Sequence, residues 1–176
     1  MARRSYMIPP RAVRALPSDS GYRFLAGCPK LAAGRGERAK VNSEGLDLTP
    51  LERAVSRLRE GLERYERDIT DDQIRDGLIQ RFEFTYEISH KMLKRFLEMT
   101  SANPAEFDAM SFQELIRSGN ERGLLRKDWP AWRKYRDMRG RTSHTYAENV
   151  ALQVVAGIPD FLDEATFLLA RLRPSA

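Results

Sequence analysis

Between Val150 and Leu172 the chain carries Val150, Ala151, Val154, Val155, Ile158, Phe161, Leu162, Ala165, Leu168, Leu169 and Leu172. These positions recur at the three- and four-residue spacing of one helix face, almost without interruption. A helix with so continuous an apolar stripe cannot stand alone in water. It has to be covered by other elements, and the rest of the sequence offers only helices to do so. The chain is rich in Arg, Glu, Leu and Ala and lacks runs of Val and Ile, a composition that favours helix over sheet. Gly157 and Pro159 interrupt the stripe near its middle and predict a kink or a break into two helices.

The covering helices can be read upstream. Thr49-Pro50-Leu51-Glu52 has the form of a capping box with proline at the first helical position. Leu51, Ala54, Val55, Leu58, Leu62 and Tyr65 then mark one face of a helix ending near Arg67. Asp71 or Asp72 opens a longer helix to about Met99. It has two apolar rows, one of Ile74, Leu78, Phe82, Met92 and Phe96 and one of Ile79, Tyr86 and Leu93, which predicts a central place in a bundle. SANPAEFDAM reads as a loop. Ser111-Phe112-Gln113-Glu114 is a second capping box, starting a short helix with Phe112, Leu115 and Ile116 inward and Gly119 and Gly123 at its end. Asp128-Trp129-Pro130 starts another helix, with Trp132, Tyr135 and Met138 inward. The expected architecture is all-α: an up-and-down four-helix bundle with one or two extra short helices, spanning residues 47–173.

Residues 1–46 differ in kind. They contain Pro9, Pro10, Pro17 and Pro29, scattered glycine and no sustained period, and read as a flexible leader. Residues 1–40 hold nine Lys/Arg against Asp19 and Glu37, a net +7. The whole 176-residue chain is +5, so residues 41–176 are −2 and the basic character belongs to the leader. A basic arm touching nucleic acid is one reading. An over-long translated start fits the composition better, since Val41 opens a more ordinary beginning and valine codons can initiate bacterial translation. No apolar run approaches the roughly 18 residues that span a membrane. The single cysteine, Cys28, rules out a disulfide framework and a cysteine-based metal site. The expected location is cytoplasmic, with no membrane partner.

The candidate chemistry lies in RGRTSHTY, Arg139 to Tyr146, which holds one of only two histidines. On a regular helix Arg139 and His144 would diverge, because five residues turn the chain by about 500°. They converge if Gly140 lets the chain turn, or if a second subunit completes the pair. Metal-free RNA cleavage needs a base for the 2′-hydroxyl, an acid for the leaving 5′-oxygen and a cation for the phosphorane charge. One Arg–His pair is short of groups; two pairs related by a two-fold axis are enough, and small apolar bundles commonly dimerise symmetrically. Residues 117–141 carry nine Lys/Arg against Glu121, Asp128 and Asp137, a local +6 suited to phosphate. Arg133, Arg136 and Arg141 are the RNA-binding candidates. A solvated helix pair with a capping histidine explains the same residues equally well. His90, mid-helix beside the apolar rows, reads as a packing residue. Glu83 and Glu87 share its face, but no metal-ligand spacing and no phosphate-binding glycine loop is present, so neither a metal nor a cofactor is expected.

GLIQRFEFTYEISHKMLKRFLE at residues 77–98, Trp129, Trp132 and RGRTSHTYAENVA at residues 139–151 resemble the nucleotidyltransferase substrate-binding proteins. These are a branch of the HEPN superfamily, the helical half of minimal-nucleotidyltransferase/HEPN toxin–antitoxin pairs. The resemblance covers residues 47–173. It implies a dimerising four-helix bundle whose Arg and His face a cleft between subunits. In toxin members that pair is the ribonuclease site, which here maps to Arg139 and His144. The Tyr two residues after the His is adenylylated in some pairs by the partner nucleotidyltransferase, and here it maps to Tyr146. Two positions depart from the pattern. A polar Asn or Asp commonly follows the Arg, and its replacement by Gly140 predicts a weakened nuclease. The second-helix position commonly filled by Trp is His90. The resemblance therefore implies a homodimeric RNase toxin partnered by a small nucleotidyltransferase encoded nearby, with a non-catalytic accessory subunit as the alternative.

Overall fold

The computed structural model describes residues 45–142 and 147–173. Residues 1–44 of the leader, together with His144 and Tyr146, lie outside the described residues. The fold is helical, with no strand among the described residues. α1 spans Thr49–Arg67, α2 Asp72–Thr100, α3 Glu106–Ala109, α4 Phe112–Glu121, α5 Trp129–Arg141 and α6 Glu148–Leu172. The short Asp68–Asp71 connection folds α2 back along α1, and α2 packs against every other helix. Its central place follows from its two apolar rows: Leu78, Ile79, Phe82, Tyr86 and Leu93 are buried, and Ile74, Met92 and Phe96 are half-buried.

The bundle is thus four long helices, α1, α2, α5 and α6, with α3 and α4 bridging α2 to α5. Its centre is a chain of aromatic rings. Phe82 meets Phe161 edge-on at 5.1 Å between centroids, Phe161 meets Tyr135 at 5.2 Å, and Tyr135 meets Trp132 at 5.8 Å. Edge-to-face pairs at these distances contribute beyond their buried area. His90 extends the chain toward the surface, 5.7 Å from Phe112, with Nδ1 3.2 Å from the Tyr86 carbonyl. Burial lowers its pKa, so it sits neutral in the packing, as the sequence indicated.

Three local expectations are corrected. Thr49 does not form a capping box: Leu48 precedes the helix without a side-chain cap, and Asp47 Oδ1 accepts from the Thr49 N–H at 3.0 Å instead. The stretch read as one loop contains the single turn α3, held by the buried ring of Phe107. The break expected at Gly157 and Pro159 does not occur: α6 is one continuous helix through Pro159, because the proline is on the exposed side while Ile158, Phe161 and Leu162 bury both halves together. The second capping box does form, with Ser111 Oγ accepting from the Glu114 N–H and Glu114 accepting from the Ser111 N–H. α4 ends in a Schellman turn: Leu124 N–H reaches the Gly119 carbonyl and Gly123 N–H the Asn120 carbonyl, both at 2.9 Å. Gly123 supplies the required positive φ of 69°.

What fixes α5 was not visible in the sequence. Glu164 on α6 is fully buried. Its Oε1 accepts from the Arg126 N–H at 3.1 Å, the Lys127 N–H at 3.2 Å and the Trp132 indole N–H at 3.2 Å. One carboxylate oxygen therefore ties the α4–α5 turn and the first turn of α5 to α6. Beside it, the Tyr135 hydroxyl donates to Asp160 Oδ2 at 2.7 Å, and Lys127 Nζ pairs with Asp160. Truncating Glu164 to Ala would strand three donors and is expected to cost on the order of 3 kcal/mol.

Burial raises the Glu164 pKa, only partly offset by the N–H bonds from Lys127, Trp132 and Arg126. The folded chain then holds this proton more tightly than the unfolded chain does. The group's contribution is full below the ordinary carboxylate value and is lost as pH rises through the raised folded value. Glu164→Gln removes that titration while keeping an acceptor. The stability of wild type minus that of Glu164→Gln should therefore fall as pH rises above the ordinary carboxylate range, as read from urea midpoints. Asp160, whose pKa is lowered by Lys127 and Tyr135, titrates in both proteins and cancels from the difference. A flat difference would contradict the assignment.

Candidate functional site

The last turn of α5 presents Arg139, and α2 receives it. Arg139 Nη1 donates to Glu83 Oε1 at 3.0 Å and to Thr142 Oγ1 at 3.2 Å. Arg139 Nε lies 3.4 Å from Glu87 Oε1, within ion-pair range but without hydrogen-bond geometry. Thr142 Oγ1 donates to Glu83 and lies 2.8 Å from the Arg139 carbonyl. The guanidinium is thus gripped on one edge by two carboxylates one helical turn apart. Its side chain keeps 33% of its exposure, so the Glu83 pair contributes about 1 kcal/mol or less to stability. What the grip supplies is orientation. A guanidinium has five N–H donors in a rigid plane, and among the described residues none takes a bond from Nη2.

In the sequence Glu83 and Glu87 stand out only as neighbours of His90. A readable signal is nevertheless there. Two carboxylates at i and i+4 repel on an isolated helix and call for a cation from elsewhere. That the cation is Arg139, 56 residues away, is tertiary information. His90 takes no part in the grip and packs on Tyr86 and Phe112 instead.

The remaining candidate cations do not form one surface. At about 100° per residue, Arg133, Arg136 and Arg139 descend one flank of α5, whereas Arg141 turns to the other side. Arg141 Nη1 donates to Gln153 Oε1 on α6 at 3.0 Å. Arg136 lies over the Phe112 ring at 5.4 Å, and Arg133 is exposed. Lys127 is committed to Asp160, and Arg122 lies over the Phe107 ring at 5.5 Å. The local +6 of the linear sequence is therefore partly spent within the fold, and the exposed positive flank is Arg133 and Arg136 leading toward Arg139.

Gly140 sits in open space: a Cβ built there meets nothing within 4 Å, and its φ is not positive. A side chain at this position would be free to reach an anion beside Arg139. No group of three or more His, Cys, Asp or Glu residues among the described residues is arranged to hold a metal. No described helix is long and apolar enough to cross a membrane.

The chain is similar to the probable ribonuclease HepT of Haemophilus influenzae, 45% identical over 105 residues, which cover 60% of this chain and 71% of that protein. A solved Haemophilus influenzae structure, described as revealing the fold of a substrate binding domain of a nucleotidyltransferase, superposes with a TM-score of 0.68 at 38% identity, covering 72% of this chain and 99% of that one. A crystal structure of a Thermus thermophilus protein superposes with a TM-score of 0.56 at 31% identity, over 70% of this chain and 98% of that one. The family described as nucleotidyltransferase substrate binding protein like matches residues 46–174. That span takes in all six helices and the Glu83–Arg139 grip, and the chain belongs to this family.

Proposed function

We propose that this protein is the cytoplasmic helical partner of a small nucleotidyltransferase in a toxin–antitoxin-type pair, and that it cleaves RNA without a metal through Arg139 and His144. The observation that carries the reading is the placement of Arg139. It ends a positive flank, is oriented by Glu83 and Glu87, and keeps donors for a phosphate. The likeness to a probable ribonuclease HepT supports it. In this reading a two-fold dimer supplies two Arg–His pairs. A neutral histidine takes the 2′-hydroxyl proton as the 2′-oxygen attacks phosphorus, a protonated one gives a proton to the departing 5′-oxygen, and Arg139 stabilises the phosphorane charge. Arg133 and Arg136 guide the RNA strand toward Arg139, and Arg141 contributes from the other flank.

Tyr146 is the point of control. Its phenol oxygen attacks the α-phosphate of ATP, pyrophosphate leaves, and the partner nucleotidyltransferase supplies the metal and the base that takes the phenol proton. The AMP left behind adds negative charge that repels RNA. A second reading, an accessory subunit without nuclease activity, is favoured by two observations: Glu83 and Glu87 neutralise Arg139, and Gly140 supplies no polar neighbour.

Expressed alone, the wild type should slow growth mildly, and Arg139→Ala and His144→Ala should be harmless at equal abundance, with RNase rates lowered by about 10²–10³. Gly140→Asn fits the open space without backbone strain and should raise the rate. A His144→Ala variant as toxic as wild type sinks the nuclease reading, and uniform harmlessness that includes Gly140→Asn favours the accessory subunit. Incubation with the partner nucleotidyltransferase and Mg-ATP should add the mass of AMP to the peptide containing Tyr146. The shift should vanish in Tyr146→Phe; its persistence there would place the modification elsewhere.

A further inference from the structure

On the flank of α2 away from Arg139, an open groove of about 760 Å³ runs between α1 and α2. Arg53 and Arg57 line it from α1, and Arg81 and Phe84 from α2. Arg81 Nη1 donates to the Arg57 carbonyl at 2.6 Å, which lays its side chain across the groove. Gly61 leaves the room for this, since a Cβ there would come within 2.9 Å of Arg81 Cδ. None of the three arginines pairs with a carboxylate among the described residues, and Asp47 at one end is the only acid in the lining. Phe84 is 63% exposed, and Gly77 faces open space beside it. None of this belongs to the Arg139 site.

Guanidiniums without a carboxylate partner among the described residues, beside an exposed ring, call for an occupant with both negative charge and flat apolar faces. The geometry points to a single-stranded RNA segment, its phosphates on Arg53, Arg57 and Arg81 and a base stacked on Phe84. Arg53 and Arg57 lie one turn apart on α1, about 6 Å along its axis, comparable with the separation of neighbouring phosphates in an extended strand. Glu83 and Phe84 are consecutive and about 100° apart around α2. Phe84 thus stands on the ridge between the groove and the Arg139 site, and a strand held in the groove crosses that ridge to reach Arg139. The inference rests on the RNA-directed reading above, and it makes the α1–α2 groove a holding site separate from the reacting groups.

Binding without cleavage separates the two ideas. The full chain carrying His144→Ala is titrated with a short fluorescently labelled oligouridylate at several salt concentrations, followed by anisotropy. Adding Arg53→Gln and Arg57→Gln together should lower the slope of log affinity against log salt by about 1.4, at roughly 0.7 per lost phosphate contact. Phe84→Ala should weaken binding about tenfold, and Phe84→Tyr should hold it within about twofold of the parent. Unchanged melting midpoints show that these exposed positions have not disturbed the fold. An unchanged slope with Phe84→Ala binding like its parent overturns the inference, even if the wild type cleaves RNA. So does displacement of the RNA by a poly-glutamate peptide with no dependence on Phe84, which would assign the groove to an acidic protein segment. The expected changes in a chain that proves unable to cleave RNA would uphold the groove and refute the nuclease.

Discussion

α5 is positioned by two buried or half-buried ionic anchors, one at each end, and the candidate site depends on both. At its start, one oxygen of Glu164 collects three N–H donors and fixes the α4–α5 turn on α6. At its end, Glu83 and Glu87 on α2 hold the Arg139 guanidinium. Between them, Trp132 and Tyr135 bury against Phe161. Apolar packing alone would leave α5 free to slide or rotate by small amounts, because many arrangements of side chains of similar volume are tolerated. Directional bonds at both ends remove that freedom. A buried carboxylate is costly to desolvate, and the raised pKa of Glu164 records that cost.

The same anchors redistribute charge. Of the cations between residues 117 and 141, Lys127, Arg139 and Arg141 are engaged with side chains of α6 or α2, and Arg122 and Arg136 lie over rings. Meanwhile Arg53, Arg57 and Arg81, unremarkable in a net-negative sequence segment, line one groove together without a carboxylate partner among the described residues. A count of charge along the chain therefore misplaces part of the cationic surface. The fold divides it between the flank leading to Arg139 and the α1–α2 groove.

The helices were legible because their stripes are local. Leu51 to Tyr65, the rows of α2 and the Val150–Leu172 face each declare a period that burial then satisfies. Errors arose where a tertiary choice overrode a local signal. Thr49 yielded the capping role to Asp47, Phe107 folded a turn within an apparent loop, and burial on the far side carried α6 through Pro159. Arg139 was legible as a candidate by its resemblance and its basic surroundings, but its partners on α2 were not, since nothing in the sequence aligns residues 83 and 139. Glu164 was hidden for the same reason: an acid inside an apolar stripe reads as a surface residue until its three donors are seen.

The proposed reaction is a transfer within the RNA itself, run by protein side chains. The direct measurement is the analysis of cleavage products formed by purified wild-type protein in excess EDTA. Attack by the 2′-oxygen predicts undiminished cleavage that leaves 2′,3′-cyclic phosphate on one fragment and a 5′-hydroxyl on the other. Products bearing 5′-phosphate, or cleavage abolished by EDTA and restored by a divalent cation, would contradict it.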